Sequence, residues 1–196
     1  MPIQKVTKEE VVNQALLLFK KRGYHRTSMA DLAEACGLLK GSFYHYFSGK
    51  EALMKEVLGA VHSYFKAKIF VIAYDETLLP RERLEKMLAK QIRVVSSTEG
   101  GCLMGNMAIE TALVTDEFRP AMRTFFEEYL DALAHLYSYK YDAKKARQMA
   151  EQAMVEYEGA WVMVKLTDSS HYLQDVLERA MARFDAAESN NVTEKQ

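Results

Sequence analysis

The chain has 196 residues, of which 49% are hydrophobic, so it is long and apolar enough to bury a substantial core. It contains only 3 prolines and 9 glycines, fewer than many short strands or long loops would need, and this favours an all-helical fold. The net charge is −1, but the first 50 residues carry eight Lys/Arg against four Asp/Glu, a net +4, and leave −5 on the rest. This asymmetry is typical of a basic segment that meets a polyanion, although ordinary surface variation can also produce it.

Several classes of protein are disfavoured by the same sequence. No stretch reaches the roughly 18–20 consecutive apolar residues of a membrane span, so we expect a cytoplasmic protein without a membrane partner. Cys36 and Cys102 lie far apart without metal-ligand spacing, which predicts reduced thiols and no metal site. The sequence has no Gly-rich phosphate loop, nucleophile elbow or His-Glu-x-x-His motif, so we expect neither an enzyme nor a bound cofactor.

The first predicted helix begins at a capping box. Thr7 and Glu10 stand three residues apart, so each side chain can satisfy a backbone donor of the other residue. Gly23 can adopt the left-handed conformation that ends a helix. Between these signals four apolar residues follow one another at helical spacing: Val12, Ala15, Leu16 and Phe19.

Two short helices are predicted next. Ser28 is typical of a helix N-cap, and Gly37 ends that helix after about two turns. A further short helix, at about 40–46, places Phe43 and Phe47 at helical spacing. Two short helices joined by a tight glycine turn predict a helix-turn-helix at about residues 28–47.

Longer helices are predicted for the rest of the chain. The capping pattern at residues 48–51 predicts a connecting helix at about 49–74. Cap, proline and glycine signals predict further helices at about 80–98, 103–113, 117–139, 143–165 and 169–187. Residues 189–196 have almost no apolar side chain, which predicts a disordered tail. The predicted fold class is therefore all-α, with about nine helices.

Four segments resemble the N-terminal domain of the tetracycline-repressor (TetR/AcrR) family. They are GYHRTS at 23–28, LAEACG at 32–37, KGSFYHYF at 40–47 and KEAL at 50–53. The resemblance spans about residues 8–60, and its order and spacing agree across four helices. It implies a DNA-binding domain at 1–50 and a ligand-binding and dimerisation domain at 75–188. It also implies a homodimeric repressor that a small molecule or reactive electrophile releases from a palindromic operator in double-stranded DNA.

The first residues expected to contact DNA begin the two short helices. Thr27 and Ser28, at a helix N-terminus, can offer a hydroxyl and N–H groups to a phosphate. Lys40 begins the recognition helix, where a long cation can reach a base edge or a backbone oxygen. Gly41 permits close approach to the duplex, and Ser42 is a small donor facing the groove.

Other expected DNA contacts rest on spacing together with the resemblance. Tyr44, His45 and Lys50 are expected to bind phosphates and so to fix the register of the protein on DNA. Leu39 departs from the family, which usually has a polar residue capping the recognition helix there. We therefore expect the turn to depend on Gly37 and on backbone hydrogen bonds.

The last two predicted helices are apolar on more than one side. Small residues such as Ala146, Ala150 and Ala153 recur at intervals that let helices approach closely. As in the family, two such pairs of helices can form a four-helix dimer seam. An ordinary core within one chain explains the same pattern, and the sequence leaves both interpretations open.

Methionine and aromatic residues are frequent beyond residue 60, and they suit an adaptable apolar pocket. A methionine-rich core without a ligand gives the same pattern. The candidate ligand-binding residues are Tyr64, Phe65, Met104, Met107, Phe125, Tyr129 and Trp161.

The segment GGCLMGN at 100–106 resembles a glycine-cysteine-leucine stretch found in a subset of the family that includes regulators responding to electrophiles. Cys102 is predicted at a helix N-terminus, where the helix dipole favours the thiolate, and its flanking glycines leave access for a reagent. The hypothesis is that Cys102 is a thiol sensor, and the alternative is that it only packs at a tight helical junction. For the whole chain, the rival to a DNA-binding regulator is a helical ligand-binding or scaffold protein with a non-functional helix-turn-helix.

Overall fold

The computed structural model describes residues 6–190, with side chains up to residue 186. These residues form nine α-helices and one 3₁₀ helix, so the all-helical prediction is confirmed. The helices are α1 Lys8–Arg22, α2 Met29–Ala35, α3 Lys40–Phe43, α4 Lys50–Lys68, α5 Pro80–Ser96, α6 Leu103–Thr111, α7 Arg119–Tyr137, α8 Ala143–Thr167 and α9 His171–Asn190, with the 3₁₀ helix Phe70–Tyr74 between α4 and α5.

Local capping signals determine where α1 and α2 begin. The Thr7 hydroxyl accepts a hydrogen bond from the Glu10 amide, and the Glu10 carboxylate accepts one from the Thr7 amide at 2.7 Å. Ser28 and Asp31 repeat this capping box at the start of α2. Because each box closes within four residues, both helix starts follow from the sequence.

Two helices end at least three residues earlier than the sequence predicts. The third helix was expected at 40–46, but α3 ends at Phe43 and the chain continues in turns to Phe47. The connecting helix was expected to reach residue 74, but α4 ends at Lys68 and a 3₁₀ helix follows. Ile69 has φ −118° and ψ −61°, away from ideal helical values, and three of residues 69–72 are β-branched, a residue type of lower helix propensity.

The described chain forms two compact units, and they do not follow chain order. The first unit contains the residues up to Ser63 together with Thr98–Arg123. The second contains Tyr64–Ser97 and the described residues from Thr124 onward. Helix α6, although it lies far beyond the helix-turn-helix in sequence, therefore packs in the same unit and contacts α1.

Two further segments bear on the sequence predictions. The stretch Lys50–Tyr74 is long and apolar enough to cross a membrane by length and composition alone. One such stretch is weak evidence for a membrane span, and its residues Leu53, Val57 and Ile69 are buried within the protein. Helix α9 continues to Asn190, so residues 189–190 of the predicted tail are helical, and residues 191–196 lie outside the described part of the chain.

Candidate functional site

Helix α3 presents one side to solvent and anchors the other. Phe43 and Phe47 are buried in the first unit, as their helical spacing indicates. Between and before them, five residues of the predicted DNA-binding set are exposed: Lys40, Gly41, Ser42, Tyr44 and His45. The structure therefore brings these five residues together on an accessible surface held by two aromatic anchors.

The turn between α2 and α3 is stabilised by backbone hydrogen bonds. Gly37 adopts a positive φ of 65°, and its amide donates to the Glu34 carbonyl at 2.9 Å. The Leu38 amide donates to the Ala33 carbonyl at 2.9 Å, which completes a Schellman motif. Leu39 makes no side-chain capping bond at the start of α3, so the expected reliance on Gly37 and the backbone is confirmed.

Thr27 and Ser28 are placed differently from each other. Thr27 is only 1% exposed, and its hydroxyl donates to the Gly23 carbonyl at 2.7 Å. Ser28 is exposed, and its hydroxyl accepts from the Asp31 amide at 3.2 Å. The hydrogen bonds from Ser28, aided by the Arg22 charge, hold the pKa of Asp31 below its usual range. Both hydroxyls thus make intrachain bonds that shape the start of α2.

Lys50 reaches back to the turn between α1 and α2. Its ammonium donates to the Tyr24 carbonyl at 2.9 Å and lies 4.3 Å from the centre of the Tyr24 ring. The Tyr24 hydroxyl donates to Glu51 at 3.2 Å. Burial, together with the Glu51 and Glu117 carboxylates, raises the pKa of Tyr24 above its ordinary value, so the hydroxyl remains a donor.

The positive charge of the first unit is partly neutralised within the chain. Lys8 pairs with Glu56 at 2.9 Å, Lys21 with Glu99 at 3.0 Å, and Arg22 with Asp31 at 3.1 Å. These cations already have carboxylate partners within the chain, so fewer are available to a polyanion than the charge count alone indicates.

Two other cations of the first unit differ from these. Arg26 and Lys40 are exposed and make no ion pair with any other residue between 6 and 190. Arg26 was not among the residues expected to contact DNA, although it stands immediately before Thr27 and Ser28 in the sequence.

A carboxylate of α6 holds the turn that precedes α2. Glu110 Oε2 accepts hydrogen bonds from the amides of Tyr24 at 2.9 Å and His25 at 3.2 Å. The His25 ring nitrogen Nε2 lies 3.2 Å from the Glu110 carbonyl oxygen. Gly23 has φ +84°, and a Cβ there would lie 2.7 Å from the Glu110 carboxylate. No sequence motif pointed to Glu110, because its partners lie more than 80 residues away.

The predicted ligand-binding residues fall into two groups. Phe65, Phe125 and Tyr129 are buried in the second unit, and ring contacts through Phe70 and Tyr157 connect them to Trp161.

The other three candidate ligand residues are placed differently. Tyr64 is exposed at the edge of Phe65, while Met104 and Met107 are buried on α6 in the first unit. Phe70 and Tyr157 were not among the ligand-binding residues expected from the sequence.

Cys102 is the N-cap residue of α6 and is 6% exposed. The two glycines before it have positive φ angles of 95° and 70°. A Cβ on Gly100 would collide with the Lys20 carbonyl at the end of α1. Close packing therefore gives a physical reason for Gly100 that does not involve access to the thiol.

An all-helical chain that presents an exposed α3 on a helix-turn-helix has the architecture of a DNA-binding transcriptional regulator. Residues 11–57 match the family model described as bacterial regulatory proteins, tetR family. Residues 80–179, half of the chain, match the C-terminal domain of LmrA/YxaF-like transcriptional regulators. The chain belongs to the tetR family, whose members are DNA-binding regulators that act as dimers and are not enzymes.

Individual relatives agree with this assignment. The chain is 29% identical over 123 residues to the HTH-type transcriptional repressor DhaR of Mycobacterium sp. (strain GP1), covering 63% of this chain and 61% of DhaR. It is 27% identical over 166 residues to the uncharacterised HTH-type regulator YxaF of Bacillus subtilis (strain 168), covering 83% of this chain and 86% of YxaF.

One solved structure shows how far the fold is shared. A TetR regulator from Legionella pneumophila superposes with a TM-score of 0.82 at 24% identity, over 92% of this chain and 97% of that one. The alignment to DhaR spans about three fifths of its length, whereas the fold is shared over nearly all of the chain.

Proposed function

We propose that this chain is a sequence-specific DNA-binding transcriptional regulator of the cytoplasm, which represses as a homodimer on a palindromic operator until a small molecule releases it. The observation that carries the proposal is the exposed face of α3. Lys40, Ser42 and Tyr44 are accessible there while Phe43 and Phe47 fix the helix from behind. An α-helix presented in this way can enter the major groove and place short polar side chains against base edges.

The proposed contacts divide into two kinds. Lys40, Gly41 and Ser42 approach the bases, whereas Tyr44 and His45 bind phosphates beside them. Ser28, at the start of α2, and Lys50, at the start of α4, complete the predicted set, and Thr27 supports it through its bond to Gly23. Arg26 is a further phosphate contact, because it is exposed and has no ion-pair partner in the described chain. Repression is favoured because DhaR is named a repressor.

The dimer is proposed to form along an exposed stripe of α8. Tyr157, Trp161 and the alanines of the predicted seam are buried within the chain. Val155, Gly159, Val162 and Leu166 follow at intervals of four, three and four residues on another side, and Leu166 is 77% exposed. A self-complementary apolar stripe of this kind suits a two-fold interface.

Substitution on the stripe tests the dimer directly. Leu166→Glu should convert the protein to monomers in sedimentation experiments and abolish tight operator binding. Leu113→Glu is the matched control, because Leu113 is an equally apolar, exposed residue in the first unit. Leu166→Glu that stays dimeric would place the interface elsewhere.

The effector is proposed to bind against the buried aromatic side chains of the second unit. Phe65, Phe70, Phe125 and Tyr129 form mutual ring contacts at centroid distances of 5.1 to 5.9 Å. Adaptable apolar surroundings of this kind suit small hydrophobic molecules. An electrophile acting on Cys102 is the other candidate signal, and burial of that thiol makes it the weaker one.

Binding to DNA fragments from upstream of the chain's own gene tests the function as a whole. A regulator should protect one palindromic site, prefer it over unrelated duplex, and lose affinity steeply as the salt concentration rises. A helical scaffold with a non-functional helix-turn-helix should show no preferred site at any salt concentration. That result, obtained with folded dimeric protein, would overturn the proposal.

A further inference from the structure

The indole N–H of Trp161 is a buried donor with no hydrogen-bond acceptor among residues 6–190. Trp161 is the chain's one tryptophan, it lies on α8, and it is 6% exposed. Its Nε1 atom is inaccessible and unpartnered. Buried tryptophans usually find a partner for this group, since an unpaired donor removed from water destabilises the fold. A missing acceptor therefore points to a molecule that supplies one.

The surroundings of the indole indicate what kind of molecule fits. Trp161 contacts Tyr157 edge-on at 6.2 Å between ring centroids, and Tyr157 contacts Tyr129 edge-on at 6.5 Å. The Tyr129 ring in turn stacks on Phe70 at 5.5 Å, with 11° between the planes. Three further aromatic rings thus lead to the indole within one unit, and such rings attract flat aromatic ligands through stacked and edge-to-face contacts.

The rings that lead to the indole carry no formal charge. Two polar side chains are deeply buried among the described residues of the second unit, Arg83 and Gln91. The Arg83 guanidinium already donates to the Leu78 carbonyl at 2.8 Å and to the Tyr139 hydroxyl at 3.2 Å. Gln91 is 1% exposed, carries no charge, and has an unpartnered oxygen, Oε1. The Arg83 cation is bonded to Leu78 and Tyr139, which do not belong to this set of rings, so a ligand held among the rings is best matched when it is neutral.

We propose that the effector of this protein is an uncharged aromatic molecule that offers a carbonyl-type oxygen to the indole N–H of Trp161. The inference rests on the proposed response to a small molecule and specifies the chemistry of that molecule. The aromatic rings bind its hydrophobic part, and Trp161 selects the oxygen.

Two pairs of probes isolate the oxygen. Acetophenone and ethylbenzene have the same carbon skeleton and differ by one carbonyl oxygen, and 2-acetylnaphthalene and 2-ethylnaphthalene form a larger pair. In full-length protein with a ¹⁵N-labelled indole, the single tryptophan gives one side-chain N–H resonance. We expect a ketone to move this proton resonance downfield and to bind about tenfold more tightly than its matched hydrocarbon, as one added hydrogen bond implies.

Removal of the indole N–H should abolish the preference for the ketone over the hydrocarbon. Trp161→Phe keeps an aromatic ring but lacks the N–H, so ketone and hydrocarbon should bind within about twofold of each other. Tyr141→Phe is the matched control, because it deletes a hydrogen-bonding group from another aromatic side chain of the same unit, one that donates to the Arg183 carbonyl. The tenfold preference should survive in that variant. Calorimetry measures both variants, and thermal unfolding verifies that they fold.

Three results would overturn the inference. The first is equal affinity for the ketone and the hydrocarbon in both pairs, and the second is a preference for the ketone that persists in Trp161→Phe. The third is an indole proton that contacts a long-lived water which no ketone displaces. The inference is also overturned if neither ketone binds at concentrations up to its solubility limit. These measurements use no DNA. If the protein discriminates ketones but binds no operator, this inference stands and the proposed function is overturned. If it binds an operator but does not discriminate ketones, the proposed function stands and this inference is overturned.

Discussion

The backbone amide of Tyr24 donates a 2.9 Å hydrogen bond to the carboxylate of Glu110, a residue 86 positions later in the chain. The same oxygen accepts the His25 amide at 3.2 Å, so one side chain of α6 holds the turn between α1 and α2. The orientation of α2, and through it of α3, therefore depends on a segment outside the helix-turn-helix. A fragment ending near residue 63 lacks this support.

Replacement of Glu110 should destabilise the protein and weaken operator binding. Glu110→Ala leaves two amides without their acceptor, and we expect a loss of about 1–3 kcal/mol in the free energy of unfolding. Glu110→Gln is the control, since its side-chain oxygen can still accept, and it should lose less. Urea denaturation and operator titration measure the two effects. An alanine variant with wild-type values in both would show that the Glu110 bonds contribute nothing.

Local signals and long-range contacts were not equally accessible from the sequence. The capping boxes at Thr7 and Ser28 predicted the starts of α1 and α2, because all their atoms lie within four residues. The exposed face of α3 followed from the spacing of Phe43 and Phe47. Glu110 could not be predicted, since nothing in its neighbourhood indicates a partner in the turn after α1.

Gly100 shows how a local interpretation can miss a distant cause. Its sequence context suggested reagent access to Cys102, but the structure places it against the Lys20 carbonyl with φ +95°. Both the backbone conformation and the approach of α1 require a residue without Cβ. Only the packing of α6 on α1 reveals this requirement.

Substitution at two glycines should change stability in opposite directions. Gly100→Ala combines a strained positive φ with a backbone collision, so we expect the free energy of unfolding to fall by at least about 2 kcal/mol. Gly59→Ala is the matched control, because Gly59 is exposed within α4 and a Cβ there meets no atom within 4 Å. It should stabilise the helix by about 0.5–1 kcal/mol. Equal denaturation midpoints for the two variants would contradict the assigned contact.

Arg26 and Lys40 should affect DNA binding differently from each other. Lys40→Ala should weaken specific binding by about 1–3 kcal/mol and reduce sequence preference, because Lys40 begins the helix proposed to enter the groove. Arg26→Gln should weaken binding to all duplexes alike and reduce the slope of log affinity against log salt by about one. Tyr44→Ala should also weaken binding.

The control for these variants is Lys86→Gln, a loss of one exposed cation from the second unit. Its affinity and salt slope should equal those of the wild type. If Lys86→Gln changes the slope as much as Arg26→Gln does, net charge rather than a local contact explains the effect.

Stability should decrease in acid through an ion-pair cluster between α8 and α9. Arg183 Nη1 lies 2.8 Å from Glu156 Oε1, and Arg179 Nε lies 3.2 Å from Glu156 Oε2. Burial of Glu156 alone raises its pKa, but the hydrogen bonds from the two arginines outweigh burial and leave the pKa below its usual value.

The sign of the pH dependence follows from that lowered pKa. The unfolded chain, with a glutamate pKa of about 4.3, takes up the proton first as pH falls. The stabilising contribution of Glu156 is therefore fully present above that pH and is lost as pH falls through the folded pKa. Glu156→Gln should lower stability at neutral pH and flatten its decline in acid, measured by urea denaturation at fixed protein concentration. An unchanged pH profile would show that the cluster does not couple to folding.

The last test concerns the reactivity of the Cys102 thiol. Burial predicts that the thiol reacts slowly, whereas its position at a helix N-terminus predicts that it reacts readily. Its place at the start of α6 favours a reactive thiolate, but only 6% of the residue is exposed, whereas Cys36 is half-buried. Burial raises the pKa of the Cys36 thiol, so Cys36 should also react slowly. We expect N-ethylmaleimide to label Cys36 before Cys102 in the folded protein.

Cys102→Ser should bind operator like the wild type, and the reagent should affect both proteins equally. If the reagent releases the wild type from DNA but leaves Cys102→Ser bound, Cys102 is the sensor and the packing role is insufficient.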